Sequence, residues 1–159
     1  MAGRITRSNE QLKPDPRYGD KVVSRFINCI MRDGKKTIAQ RIVYKALDEI
    51  EKRTEGNPAG IEVFHKAVDN VKPDVEVRSK RVGGANYQVP MQVNRKRQQS
   101  LAFRWIITAA RGEKGKPMYL RLGRELFEAA NNEGRAIQTR DQTHRMAEAN
   151  KAFAHFAWR

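Results

Sequence analysis

The chain has 159 residues and a formal net charge of +14, and 39% of its residues are hydrophobic. This length predicts one domain, and apolar residues in periodic clusters argue against wholesale disorder. The single cysteine, Cys29, excludes an internal disulfide framework, and we interpret it as a buried, small apolar residue in a reducing compartment.

The first nineteen residues have no periodic apolar face and no hydrophobic stretch of the kind that a secretory signal requires. Their basic residues are Arg4, Arg7, Lys13 and Arg17. We interpret residues 1–19 as a basic arm that is free or ordered only on a partner. No apolar run approaches the length that spans a bilayer, so we expect a soluble protein that is not exported and has no membrane partner.

Helical spacing of apolar residues begins at Asp20 and is repeated over about 35–53, which predicts two amphipathic helices. A third helix is predicted from Asn57, as a capping residue, and Pro58, at the first helical position. Pro73 ends this helix, because proline cannot continue a helical hydrogen-bond pattern.

The period changes to two over about 74–93, around Gly83-Gly84. This pattern predicts two short strands joined by a tight turn. The hairpin is polar and basic on both faces, so we expect it to protrude from the helices rather than to lie among them.

Three more helices are predicted after the hairpin. The fourth begins at Arg95-Lys96-Arg97, the fifth begins near Pro117, and the sixth runs from about 135 to 150. The predicted fold is mainly α, a single domain of about six helices with a protruding β-hairpin between the third and fourth. The predicted parts are a basic N-terminal arm (1–19), a helical domain (20–150) and a C-terminal tail (151–159).

Residues 77–112 include no Asp or Glu. The basic residues of this stretch are Arg78, Lys80, Arg81, Arg95, Lys96, Arg97, Arg104 and Arg111. Concentrated positive charge repels itself, which indicates a polyanionic partner, and nucleic acid is the one we expect. Gly83-Gly84 would let the turn approach a sugar-phosphate backbone, and Tyr87 could stack on a base. The alternative is a solvated hairpin whose charges prevent aggregation of its strand edges.

The aromatic residues of the tail, Phe153, Phe156 and Trp158, have two interpretations. They could stack on bases, or they could pack the tail onto the helical core.

The sequence has no convincing catalytic or metal-binding pattern. The histidines are scattered along the chain, at His65, His144 and His155. There is no second cysteine to pair with Cys29, so a zinc site is not expected. The serines lack the setting of a nucleophile, and residues 112–116 do not have the glycine spacing of a phosphate loop. Carboxylates near residues 69–76 could serve a metal-dependent nuclease, but acids at a helix end are commonplace. We therefore predict no enzyme, no cofactor and no metal.

Four segments carry a family resemblance: KPDPRYGD (13–20), INCIMRDGKKTIAQRIVYKAL (27–47), VKPDVEVRSKRVGGANYQVPMQV (71–93) and THRMAEANKAFAHFAW (143–158). In this order and over nearly the whole length, the chain resembles the universal small-subunit ribosomal protein seven family, in its bacterial or organellar form. The resemblance implies six helices with a hairpin between the third and fourth. It also implies direct binding to the 3′ major domain of small-subunit ribosomal RNA (rRNA) and nucleation of the subunit head.

The resemblance further implies partners and a place in the particle. The partners are small-subunit rRNA, neighbouring small-subunit proteins of the head and platform, exit-site transfer RNA (tRNA) and messenger RNA (mRNA). The location is the ribosome, in the cytoplasm or in an organelle matrix or stroma, and the free protein is expected to be a monomer.

The candidate RNA-binding residues come from matching positions of the family motifs and from the basic arm. They are Arg4, Arg7, Lys35, Lys36, Arg78, Lys80, Arg81, Gly83, Gly84, Asn86, Tyr87, Arg95, Lys96, Arg97, His144, Arg145 and Lys151.

Two other functions remain as alternatives at this point. A DNA-binding architectural protein with a paired β-ribbon would need a dimer and a preference for duplex DNA. A basic RNA-processing enzyme would need metal- or histidine-dependent turnover.

Overall fold

The computed structural model describes residues 11–158, except for the side chain of Trp158. The elements are α1 (Lys21–Ile30), α2 (Lys36–Arg53), α3 (Gly60–Val71), β1 (Val75–Val82), β2 (Ala85–Gln92), α4 (Arg95–Gly112), α5 (Met118–Ala130), α6 (Gly134–Ala149) and a 3₁₀ helix (Lys151–Trp158), here called the tail helix. The predicted class is confirmed, because the fold is mainly helical with a hairpin between α3 and α4. No helix in this part of the chain is long and apolar enough to cross a membrane.

One apolar core joins the α-helices. The rings of Phe26, Phe64 and Phe103, from α1, α3 and α4, are fully or almost fully buried. The Phe26 centroid lies 5.2 Å from that of Phe64 and 5.1 Å from that of Phe103. Burying a ring of this size stabilises a fold by about 1.5–3 kcal/mol. Helix α5 packs against α2, α3, α4 and α6, and so closes the core.

Helix α3 begins at Gly60, so the predicted start at Asn57-Pro58 is wrong. The Thr54 hydroxyl donates a hydrogen bond to the Pro58 carbonyl (2.8 Å), and the Asn57 N–H donates one to the Thr54 carbonyl (3.1 Å). These bonds close a turn that contains Asn57, so Asn57 lies before the helix and does not cap it. The helix then starts where it crosses α2, and a Cβ atom on Gly60 would lie 2.6 Å from the Leu47 carbonyl oxygen.

The end of the predicted N-terminal arm is folded against α2. Asp15 is buried and accepts hydrogen bonds from the Tyr44 hydroxyl (2.6 Å) and from the N–H groups of Arg17 (3.0 Å) and Tyr18 (3.1 Å). Burial and the bond to Asp15 raise the pKa of Tyr44 to about 12. Because these bonds form within the chain, the prediction of an arm that is free or ordered only on a partner is wrong for residues 15–18.

Cys29 is exposed, so the prediction that it is buried is wrong. The buried apolar stripe of α1 consists of Val23, Phe26, Ile27 and Ile30. With 3.6 residues per turn, position 29 falls beside this stripe and not within it.

The hairpin protrudes only in its outer half. Glu76 and Val89, near the base, are buried, and the Asp74 N–H there donates a hydrogen bond to His144 Nε2 of α6 (3.3 Å). The tail helix packs on β2. Of the two interpretations of the tail aromatics, packing is therefore correct for Phe153 and Phe156, but the surface that they cover belongs to the hairpin and not to the helical core.

Candidate nucleic-acid interface

The two faces of the hairpin, both polar and basic in the sequence, differ in their exposure. The strands pair from Val75↔Gln92 to Val82↔Ala85, and residues directly opposite each other share a face. The face of the pair Lys80↔Tyr87 is half-buried, because the tail helix lies on it. The face of the pair Arg81↔Asn86 is exposed.

The tip is a two-residue turn of Gly83 and Gly84, with φ angles of +58° and +87°. Positive φ at both central positions is typical of a type I′ turn, which suits glycine. Neither glycine has an atom within 4 Å of a Cβ position, so the tip is open on its outer side.

Glu76 links the hairpin to the start of α4. Its buried carboxylate accepts hydrogen bonds from Arg97 Nε (3.2 Å) and Nη2 (3.1 Å) and forms an ion pair with Arg78. Burial raises the pKa of the Glu76 carboxyl, but the bonds from Arg97 and Arg78 outweigh it, and the net pKa lies below its ordinary value. Two of the predicted RNA-binding residues are thereby brought together on one carboxylate.

The first turn of α4 carries Arg95, Lys96 and Arg97 and no acidic residue. Asn94 is the N-cap of α4, and its side chain accepts a hydrogen bond from the Arg97 N–H (2.9 Å). Cations at a helix N-terminus oppose the helix dipole, which makes this placement unfavourable for the free protein. A bound anion would reverse that effect, so the arrangement favours a phosphate-binding role.

Basic residues continue along α1 and α4, which run side by side. Arg25 Nη1 donates a hydrogen bond to Gln99 Oε1 (3.0 Å), and Arg111 Nη2 donates one to the Ile30 carbonyl (3.0 Å). Arg104 is exposed on the same helix, beside a shallow hollow at Cys29. The surface along this contact, which carries Arg25, Arg104 and Arg111, is here called the α1–α4 face.

Lys35 and Lys36 lie at the far end of this face, where α1 ends and α2 begins. Lys35 lines a cleft of about 260 Å³ together with Arg32, Arg111 and Arg121, and no acidic residue lines this cleft. Burial and the charge of Arg32 lower the pKa of Arg111, as expected for neighbouring cations.

The predicted residues of the C-terminal motif lie in two different environments, one at the hairpin base and one exposed to solvent. His144 is half-buried and accepts the hydrogen bond from Asp74 at the base of the hairpin, so it holds α6 against β1. Arg145 and Lys151 are exposed. Arg4 and Arg7 lie outside the described residues.

Within residues 11–158, no three His, Cys, Asp or Glu side chains are grouped so that they could hold a metal ion. The model of the family "Ribosomal protein S7p/S5e" matches residues 3–151, which is almost the whole chain. The chain belongs to the S7p/S5e family of ribosomal proteins.

Bacterial relatives named small ribosomal subunit protein uS7 are similar to this S7p/S5e chain over their full length. The protein of Rhodopirellula baltica is 62% identical over 98% of this chain and 99% of its own. That of Petrotoga mobilis is 54% identical over 98% and 99%, and that of a Chelativorans species is 52% identical over 99% and 100%.

Membership of the S7p/S5e family confirms the resemblance found in the sequence and the prediction that the chain is not an enzyme. It also decides against the two alternative functions. Arg25, Arg32 and Arg121 are not among the predicted RNA-binding residues, yet Arg25 contacts α4, and Arg32 and Arg121 line the cleft with Lys35. Helical spacing could have placed Arg25 and Arg32 on a polar side of the first helix, but not beside α4.

Proposed function

We propose that this chain is a structural protein of the small ribosomal subunit that binds the 3′ major domain of the rRNA and nucleates assembly of the subunit head. The S7p/S5e family and the names of its relatives support the ribosomal part of this proposal. The observation that carries RNA binding is the acid-free stretch, which forms a protruding hairpin and a helix with three cations in its first turn.

The α1–α4 face and the hairpin tip would act on different parts of the RNA. Exposed cations along α4 attract phosphates, which supplies affinity but little sequence information. The hairpin reaches away from the helical body, and folded RNA is recognised largely by shape and by contacts to its backbone. Together they would hold several RNA helices in one fixed arrangement.

The finer parts of the proposal concern the assembled particle. We expect the hairpin tip to lie near the exit-site tRNA and the path of mRNA, with neighbouring proteins of the head and platform beside the body. Arg81, Asn86 and the turn glycines are exposed and so available for such contacts. The basic arm, with Arg4 and Arg7, is proposed as an additional rRNA contact.

Binding of the purified protein to three nucleic acids tests this function. The three nucleic acids are a folded 3′ major domain transcript, an unrelated structured RNA of equal length, and a DNA duplex. Each is measured at a low and a high salt concentration. We expect the preference for the ribosomal transcript to persist at high salt, because generic phosphate binding weakens steeply there. Equal binding to all three at high salt would overturn the proposal.

A further inference from the structure

The tail helix contacts the middle of the hairpin through an aromatic cluster. The ring centroid of Tyr87 lies 5.2 Å from that of Phe153 and 5.0 Å from that of Phe156. Lys80 Nζ also donates a hydrogen bond to the Phe156 carbonyl oxygen (2.7 Å). Lys80 and Tyr87 are cross-strand partners, so the tail helix holds both strands at the same pair.

No other apolar packing on this part of the hairpin is seen within the described residues. The buried residues of the two strands, Glu76 and Val89, lie nearer the base, and no residue from 79 to 88 is buried. A two-stranded ribbon is at best marginally stable alone in water. The strands themselves bury no apolar side chain between residues 79 and 88. Phe153 and Phe156 of the tail helix provide apolar packing there, on Tyr87.

The supported stretch also carries candidate RNA contacts, among them Arg78, Arg81 and Asn86. A segment that becomes ordered only on binding loses conformational entropy at that moment, which weakens its affinity. A hairpin that is already ordered avoids this loss.

We propose that the tail helix is a positioning element, which holds the hairpin in its RNA-binding arrangement before RNA is bound. The RNA part of this inference rests on the proposed function. The support of the hairpin by the tail is a property of the free protein, and it can be measured without RNA.

Two double variants test the proposal. Phe153→Ala/Phe156→Ala removes the cluster, whereas Phe153→Leu/Phe156→Leu keeps apolar side chains beside Tyr87 that cannot stack on a base as a ring does. Neither phenylalanine belongs to the helical core, so the far-UV circular dichroism of the body should be unchanged. In the free alanine variant, amide hydrogen exchange at residues 78–89 should rise by about tenfold or more, because exchange reports local opening. The leucine variant should stay close to the wild type.

Affinity for the ribosomal transcript provides the second readout. The alanine variant should bind about 5–10-fold more weakly and the leucine variant within about twofold of the wild type, if preorganisation is the cause. Unchanged exchange in the alanine variant would overturn the proposal, as would raised exchange with unchanged affinity. Equal loss in both variants would also overturn it, because the rings would then act by stacking on RNA. A wild-type protein without preference for the ribosomal transcript would instead overturn the proposed function, while the exchange comparison would still decide whether the tail supports the hairpin.

Discussion

Glu76 directly precedes the acid-free stretch, and its role is to hold two of the cations that belong to that stretch. Its side chain is 10% exposed, whereas those of Arg97 and Arg78 are 35% and 53% exposed. The buried carboxylate is therefore satisfied by guanidinium groups that still reach the solvent. One acidic residue fixes the angle between the hairpin and α4 without removing their charge from the surface.

Replacing Glu76 should make stability less dependent on pH. We expect Glu76→Gln to lower the free energy of unfolding by about 1–2 kcal/mol at neutral pH, a value reduced for the exposure of Arg78. The pKa of this carboxyl is lowered in the folded state, so its contribution is present above the unfolded pKa and is lost as the pH falls through the folded pKa. Urea unfolding at pH 7 and at about pH 3.5 should show the difference between variant and wild type shrinking at the lower pH.

Glu148→Gln is the matched control, since Glu148 is an exposed acid on α6. It should change the free energy of unfolding by no more than about 0.5 kcal/mol. A loss in Glu76→Gln that is equal at both pH values would contradict the ion-pair explanation and point to packing instead.

Helix boundaries were predictable where they depend on local signals and were missed where they depend on contacts distant in sequence. Helix α2 was predicted over 35–53 and is observed over Lys36–Arg53, and the hairpin and its diglycine turn were predicted within one residue. The start of α3 was missed, because the turn closed by Thr54 and the crossing of α2 at Gly60 override the local capping pattern.

Gly60 should be intolerant of even a methyl group. A Cβ atom there would lie 2.6 Å from the Leu47 carbonyl oxygen, and that backbone atom cannot move aside. We expect Gly60→Ala to lower the free energy of unfolding by about 1–3 kcal/mol, as overpacking does. Gly112→Ala is the control, because the nearest atom to its Cβ position is the end of the flexible Arg135 side chain, 3.4 Å away. It should be neutral or stabilise by up to about 1 kcal/mol. Similar values from chemical denaturation of the two variants would contradict the tight crossing.

The tail helix illustrates a further limit of sequence-based prediction at this scale. Its aromatic residues left stacking on bases and packing onto the helical core both open, yet they cover Tyr87 of the hairpin, more than sixty positions earlier in the chain. No local pattern specifies that contact. It depends on α6, which brings the tail beside the hairpin.

For the molecule as a whole, helix packing turns a charge pattern into a surface. The acid-free stretch was visible in the sequence and predicted the class of partner, and the family motifs predicted the fold. The position of α1 beside α4 was not predictable from either helix alone, so Arg25 and Arg32 were not expected to lie beside the basic residues of α4. Arg25 lies beside the first half of α4, and Arg32 lies with Lys35 and Arg111 at the corner between α1 and α2.

If the basic residues at the start of α4 bind rRNA phosphates, as proposed, removing their charges should reduce the salt dependence of affinity. Arg95→Gln/Lys96→Gln removes two exposed charges from the start of α4, and Arg53→Gln/Lys66→Gln removes two from α2 and α3 as a matched control. For the 3′ major domain transcript, the slope of log affinity against log salt should become shallower by about 1.5 in the first variant, at about 0.7–0.9 per phosphate. The control should keep the wild-type slope. An unchanged slope in the first variant, or an equal change in both, would contradict phosphate binding by the start of α4.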